Sequence, residues 1–204
     1  MRIYNYFYRS IQDLLLSLIG KKNNFTKDLH SLIQKIKFEE IYDIGGSDGQ
    51  LIKDLDLKRK KYFCFDIDEH NIKIGYKKYK KNKNIFFIKK SIDQIKLKNT
   101  SKKRIFIFKG VFHHLTDLQI IKFLAQLKKK DSVLSIDPFY HKNQKKISIL
   151  LKKLDRGNYI RDLKGYHKIL NNFSYKKKIN YYLKFYSHII FYKNIDKKLI
   201  NRFF

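Results

Sequence analysis

The stretch FEEIYDIGGSDGQLIKDL, residues 38–55, decides how the rest of the chain is read. An apolar strand-like run ends at Asp43. Gly45, Gly46 and Gly49 follow, with Ser47 and Asp48 between them, and a helix-like pattern then begins. The chain holds only 8 glycines in 204 residues, so three in one turn need a cause. Glycine is required where φ is positive or where a backbone approaches a neighbour closely. A strand passing through such a turn into a helix aims backbone N–H groups and a helix N-terminus at a ligand. The dinucleotide pattern G-x-G-x-x-G is absent. The pattern present is D-x-G-x-S-x-G, Asp43 to Gly49. An acidic group two residues before the first glycine would repel a pyrophosphate and suits a ligand with a cationic group.

Outward from this turn, apolar runs of strand length alternate with amphipathic segments. The strand candidates are residues 41–44, 62–67, 85–88, 104–108 and 133–136, rich in Ile, Phe, Tyr and Val, as strands buried on both faces are. Helix candidates lie between them at 50–57, 69–79, 91–97 and 116–129. Thr116 and Asp117 supply a start signal for the last. The alternation predicts an α/β fold with a doubly wound, mostly parallel sheet. Beyond residue 137 two helical pieces flank DRGNYIRD. Strands at 178–187 and 188–194 then make a C-terminal antiparallel hairpin. Residues 1–37 read as two helices, the second capped by Thr26. One domain, 1–204, is expected: an N-terminal helical segment (1–37), a ligand-binding core (38–140) and substrate-side helices with the terminal hairpin (141–204).

Composition sets bounds. With 43% hydrophobic residues and a single Pro, the chain is not of disordered type. Its one cysteine, Cys64, excludes an internal disulfide framework and reads as a buried thiol, compatible with a reducing cytoplasm. No run reaches the ~18 apolar residues of a membrane span. Arg2 and Arg9 precede a short apolar run, but Asp13 interrupts it and no small-residue cleavage site follows, which argues against a signal peptide. Ile3, Phe7, Ile11, Leu14 and Leu18 fall instead at helical spacing. The net charge of +29 raises the question of a polyanionic partner. Lysine is spread over the whole chain, however, together with Asn, Ile, Tyr and Phe. Compositional drift toward A/T-rich codons explains that pattern without a partner.

The glycine motif resembles the first motif of the class I S-adenosylmethionine-dependent methyltransferases, [DE]-x-G-x-G-x-G, with Ser47 in place of the middle glycine. Three further segments are similar to that family in order and spacing. YFCFDIDEH places Asp66 at the end of the second strand, FFIKKSIDQI follows the third, and RIFIFKGVFHHLTD is similar to the fourth-strand segment of the small-molecule enzymes. The resemblance covers residues 38–140. It implies a Rossmann-like sheet and S-adenosylmethionine as cofactor. Asp43 would contact the cofactor's amino group beside Gly45, Gly46, Ser47 and Gly49. Asp66, preferred over Asp68, would accept the ribose hydroxyls, with Ile67 flanking the adenine. Ser91 stands where the family has an adenine-binding Asp, or it simply caps the next helix. Lys109 and Gly110 would contribute backbone to the cofactor wall.

For catalysis, His113 or His114 is the candidate base or substrate ligand, and Asp137 the second choice. Tyr140, Arg156, Tyr159 and Arg161 are the substrate-side candidates. Two arginines with tyrosines suit an anionic or hydroxylated acceptor. The alternative is an inter-helix turn in which those arginines pair with Asp155 and Asp162. A two-His metal site needs further ligands, and the sequence offers no clear set, so no metal is expected. The leading expectation is a cytoplasmic methyltransferase acting on a small molecule such as a sugar or glycan precursor, a quinone or lipid intermediate, or another metabolite. The rivals are an RNA methyltransferase using the basic surface, and a non-catalytic cofactor-binding module.

Overall fold

The computed structural model describes residues 25–155, 157–183 and 186–204. The helix expected over the first residues, and Arg156, lie outside them. The described strands are β1 (Glu40–Ile44), β2 (Lys61–Asp66), β3 (Ile85–Lys89), β4 (Arg104–Lys109), β5 (Ser132–Pro138), β6 (Lys176–Leu183) and β7 (Tyr186–Lys193). The helices are α1 (Phe25–Lys35), α2 (Glu69–Tyr79), α3 (Asp117–Leu124), α4 (Lys146–Leu154), α5 (Leu163–Leu170) and α6 (Lys197–Phe203). The strands form one sheet in the order β3-β2-β1-β4-β5-β7-β6. β1 to β5 run parallel, and β7 runs antiparallel to both β5 and β6.

Both faces of the sheet are covered, and the alternation of side chains along the strands shows how. In β4, Ile105 and Ile107 join one core, packed with Leu29, Leu32 and Ile33 of α1 and Ile200 of α6. Phe106 and Phe108 of the same strand join the other, with Ile120, Phe123 and Leu124 of α3 and Ile169 of α5. β7 divides likewise, Ile190 and Tyr192 to the first core, Ile189 and Phe191 to the second. At the start of β4, the fully buried Arg104 makes a two-pronged pair with Asp131, Nε–Oδ1 2.9 Å and Nη2–Oδ2 2.5 Å.

The chain leaves β1 toward β3 on one side and returns to β4 on the other. The carboxyl ends of β1 and β4 therefore flank the point where the sheet order reverses, which is where open α/β sheets bind ligands.

Several expected elements come out shorter. Residues 50–57 and 91–97 contain only 3₁₀ turns, Gln50–Asp54 and Ile92–Gln94, because Leu55 and Ile95 are already extended. The helix from 116 stops at Leu124, with Thr116 as its cap. α1 already includes Phe25, so Thr26 lies within the helix and is not its cap. The hairpin breaks before Tyr186, not after Ser187, and α6 was not expected at all.

Candidate functional site

The opening motif becomes a tight passage from β1. Gly45, Ser47 and Gly49 have positive φ (72°, 54° and 78°). The N–H groups of Gly45 and Gly46 both donate to the Phe65 carbonyl, 2.7 and 3.1 Å, which straps the loop onto the end of β2. Gly46 is needed for closeness: a Cβ there would collide with the Asp43 carboxylate and stand 2.7 Å from Cys64 Sγ. Gly45 is needed for both reasons, since at its φ a Cβ would also stand 2.7 Å from Val111.

This packing leaves a cleft of about 590 Å³ above the carboxyl ends of β1, β2 and β4. Asp43, Gly45, Gly46, Ser47, Asp66, Ile67, Lys109, Gly110 and His114 line it. Gly49 and Ser91 are not in its wall. Gly49 opens the following 3₁₀ turn, and Ser91 stands at the N-cap of the next one, its N–H donating to Gln94 Oε1 at 2.9 Å. The wall also contains residues that the sequence reading passed over, among them Phe65, Asn71, Ile92, Val111 and Leu115. Asn71 belongs to α2, one turn after Asp68, so only the helix geometry brings it to the cleft.

The two carboxylates of the cleft are held differently. Asp43 is 2% exposed and accepts a hydrogen bond from the Tyr62 hydroxyl. Burial pushes its carboxyl up to about 6, against the opposing pull of Tyr62 and of the Lys109 charge. Asp66 is half-buried. Its Oδ2 accepts from the Ser47 N–H and its Oδ1 from the Asp68 N–H, both at 2.8 Å. Asp68 is taken up elsewhere, capping α2 by accepting from His70 N–H at 2.8 Å.

At the ends of β4 and β5 the structure separates the neighbouring histidines. His114 is exposed and lines the cleft. His113 is buried. Its Nδ1 lies 2.7 Å from Asp137 Oδ1, and its Nε2 3.3 Å from Asp155 Oδ1. Burial opposes charge on the ring, but the hydrogen bonds and charges of the two carboxylates outweigh it and raise His113 to about 9. Asp137 is fully buried and also accepts from Ser135 Oγ at 3.1 Å and from the His113 N–H at 3.2 Å. His113 and Asp137 are thus turned into the protein and do not line the cleft.

Of the substrate-side candidates, Tyr140, Tyr159 and Arg161 do not line it either, and Arg156 lies outside the described residues. Arg161 ties its own segment to the turn after β4. Its guanidinium donates to Asp117 Oδ1, to the Phe112 carbonyl at 2.8 Å and to the Leu115 carbonyl at 2.6 Å. That makes it a clamp instead of an open anion site. Arg161 pairs with Asp117, not with Asp155 or Asp162: Asp155 lies against His113 and Asp162 caps α5, while any pairing of Arg156 lies outside the described residues. Tyr159 donates its N–H to the His113 carbonyl at 2.9 Å, and Tyr140 its N–H to the Arg161 carbonyl at 3.0 Å.

A sheet of this order with a cleft over the glycine turn is the fold of the class I methyltransferases. The family model described as "Methyltransferase domain" matches residues 41–130, from β1 through α3. That stretch is similar to methyltransferase domains, a class whose cofactor is S-adenosylmethionine. Human N-acetylserotonin methyltransferase, solved in complex with S-adenosylmethionine, is similar with a TM-score of 0.61 at 18% identity, covering 92% of this chain and 55% of that one. The mitomycin 7-O-methyltransferase MmcR gives 0.61 at 11% identity, 82% and 53% covered. The PH0226 protein of Pyrococcus horikoshii OT3 gives 0.60 at 15%, 82% and 88% covered. The chain thus spans little more than half the length of the first two. No curated protein matches the sequence.

Proposed function

We propose that the protein transfers a methyl group from S-adenosylmethionine to a small-molecule acceptor. One observation carries the reading: the Asp66 carboxylate, fixed by two backbone N–H groups, sits in the cleft beside the glycine turn. A carboxylate so placed has acceptor capacity left for a pair of vicinal hydroxyls. The glycine turn lines the same cleft, folded tightly against Asp43, Cys64 and Val111 because Gly45 and Gly46 carry no Cβ. Asp43 would face the cofactor's amino group, and Ile67 and Ile92 would offer apolar surface to its base.

When bound, the cofactor supplies a methyl group already activated by its sulfonium. The chain's own task is alignment, which can lower such a barrier by roughly 7–11 kcal/mol. His114, at the cleft wall, is the residue placed to hold or remove a proton from the acceptor. His113 and Asp137 are engaged with one another away from the cleft and serve as positioning residues for the turn that carries His114. A base adds about 10²–10⁴-fold, so His114 tunes the rate and is not indispensable.

The RNA reading rests on the +29 charge and requires basic residues gathered at the cleft. Among its described lining residues the lysines are Lys90 and Lys109, and the lining otherwise mixes apolar, neutral polar and acidic groups with His114. This favours a small acceptor. Among the described residues no helix is long and apolar enough to cross a membrane. A cytoplasmic location accords with the buried, unpaired thiol of Cys64.

The test is calorimetric titration with S-adenosylhomocysteine of the wild type and of Asp66→Ala, at two salt concentrations. Micromolar, salt-insensitive binding that the substitution removes is expected. A folded wild type that binds none would end the proposal.

A further inference from the structure

The ends of β4 and β5 hold a cluster of which the proposed reaction draws directly on one member, His114; with an ion bound, that residue's role passes from proton acceptor to ligand. We propose that His113, His114 and Asp155 form a binding site for a divalent transition metal, zinc or a close analogue, at the rim of the cleft. Their donor atoms lie within 4.8 Å of one another. Two imidazoles and one carboxylate are a borderline-soft set that suits zinc, cobalt or iron over magnesium or calcium.

Three features of the geometry point to an ion. First, His113 Nε2 and Asp155 Oδ1 are 3.3 Å apart. Two donors on a tetrahedral zinc, with bonds of about 2.0–2.2 Å, lie about 3.3–3.5 Å from each other. Second, His113 is braced from behind. Asp137 takes its Nδ1 at 2.7 Å, and Ser135 Oγ and the His113 N–H hold that carboxylate in turn. A buried carboxylate on the far nitrogen of a ligating histidine fixes its tautomer and directs the other nitrogen at the metal. Third, the loop that brings Asp155 is shaped to close over the ring. A Cβ on Gly157 would collide with His113, and Gly157 N–H donates to Asp155 Oδ1 at 3.1 Å. Asp155 reaches the pair from 41 residues further along the chain, which is why sequence spacing did not reveal it.

Three protein ligands leave one position of a tetrahedral ion open. His114 lines the cleft, so the site adjoins the reaction space through that ligand. Resting on the methyltransferase reading, the site would bind an acceptor through an oxygen, holding it and making its hydroxyl more acidic. The acceptor class is then an alcohol, phenol or carboxylate, not an amine that would be fully protonated.

The experiment uses the full chain freed of metal with a chelator, titrated with Zn²⁺ by calorimetry and with Co²⁺ by visible absorption. Uptake of one ion per chain, with the intense bands of four-coordinate cobalt, is expected. His114→Ala, at an exposed position, and Asp155→Asn should abolish the bands. Asp137→Asn should weaken binding by about 10–100-fold. Absence of stoichiometric uptake, or uptake unchanged in both His114→Ala and Asp155→Asn, overturns the proposal in favour of a metal-free ion network. S-adenosylhomocysteine binding by the metal-free protein is measured alongside. Its failure would remove the methyltransferase reading and leave the metal result standing.

Discussion

Two regions of the sheet end in aspartates close to glycine-bearing segments, and they have opposite characters. At β1 and β2, Asp43 and Asp66 border open space. At β5, Asp137 is enclosed by His113, Ser135 and the turn after β4. The residue types are alike, and both stand at strand carboxyl ends. What differs is where the partners come from. Backbone N–H groups satisfy Asp66 from one side only, so it keeps acceptor capacity facing the cleft. Side chains and backbone from two elements surround Asp137 and leave it none. Position at a strand end nominates a residue for a site, and the completeness of its protein partners decides whether it faces ligand or holds the scaffold.

The comparison is sharpest if the two regions can be broken separately. Asp137→Ala leaves the buried His113 with Asp155 as its remaining charged partner. Loss of one member of a buried pair costs roughly 3–5 kcal/mol, to be read as a fall in urea midpoint at constant slope. Affinity for S-adenosylhomocysteine in the surviving folded fraction should stay within about threefold, and a loss as large as that of Asp66→Ala would erase the distinction.

Asp66→Ala should do the reverse. Hydrogen bonds to a charged group contribute about 1.5–3 kcal/mol each, so affinity should drop on the order of 100-fold. The N–H groups of Ser47, part-buried, and Asp68, exposed, turn to water and keep the fall in thermal midpoint smaller than that of Asp137→Ala.

The acidic pair also predicts a pH signature. Asp43 is raised in the folded protein from 3.8 to about 6 by burial. Its carboxylate meets a cationic ligand only when ionised, so affinity should hold above pH 6 and weaken, at most tenfold per unit, below it. Stability without ligand moves the opposite way. A carboxyl whose folded value is raised contributes stability that is present below about 4 and lost as pH rises through about 6. Paired binding and unfolding curves between pH 4 and 8 check both signs.

The smallest effect is at Ser47, whose φ of 54° glycine would adopt more easily. Ser47→Gly trades relieved strain against chain entropy and should stabilise by about 0.5 kcal/mol, measured as unfolding free energy.

Much of the sheet was legible because its signal is local. β4 reads RIFIFK and cannot alternate polar with apolar, since both faces are covered. α2 begins where Asp68 can cap it, and Thr116 and Gln119 mark the start of α3. The cleft wall around Gly45, Gly46 and Asp66 was legible for the same reason, because one turn and one strand end supply it. What stayed hidden depends on contacts far apart in sequence. Nothing near Tyr62 indicates that its hydroxyl reaches Asp43, nor near Arg161 that it spans 44 residues to Asp117. The 3₁₀ turns stand in place of helices because Leu55 and Ile95 are extended, which the apolar spacing of 50–57 and 91–97 did not indicate.

Among the described residues, β3 and β6 are the sheet's outer strands, each without a neighbouring strand on one side. β6 begins with Lys176, Lys177 and Lys178, and β3 ends in Lys89 followed by Lys90. Charged side chains on outer strands repel an approaching strand of the same kind. Whatever produced it, the lysine excess therefore acts as a guard against polymerisation. Neutralising those five positions would turn two rows of unmatched backbone groups into templates, and one molecule's sheet could continue into the next.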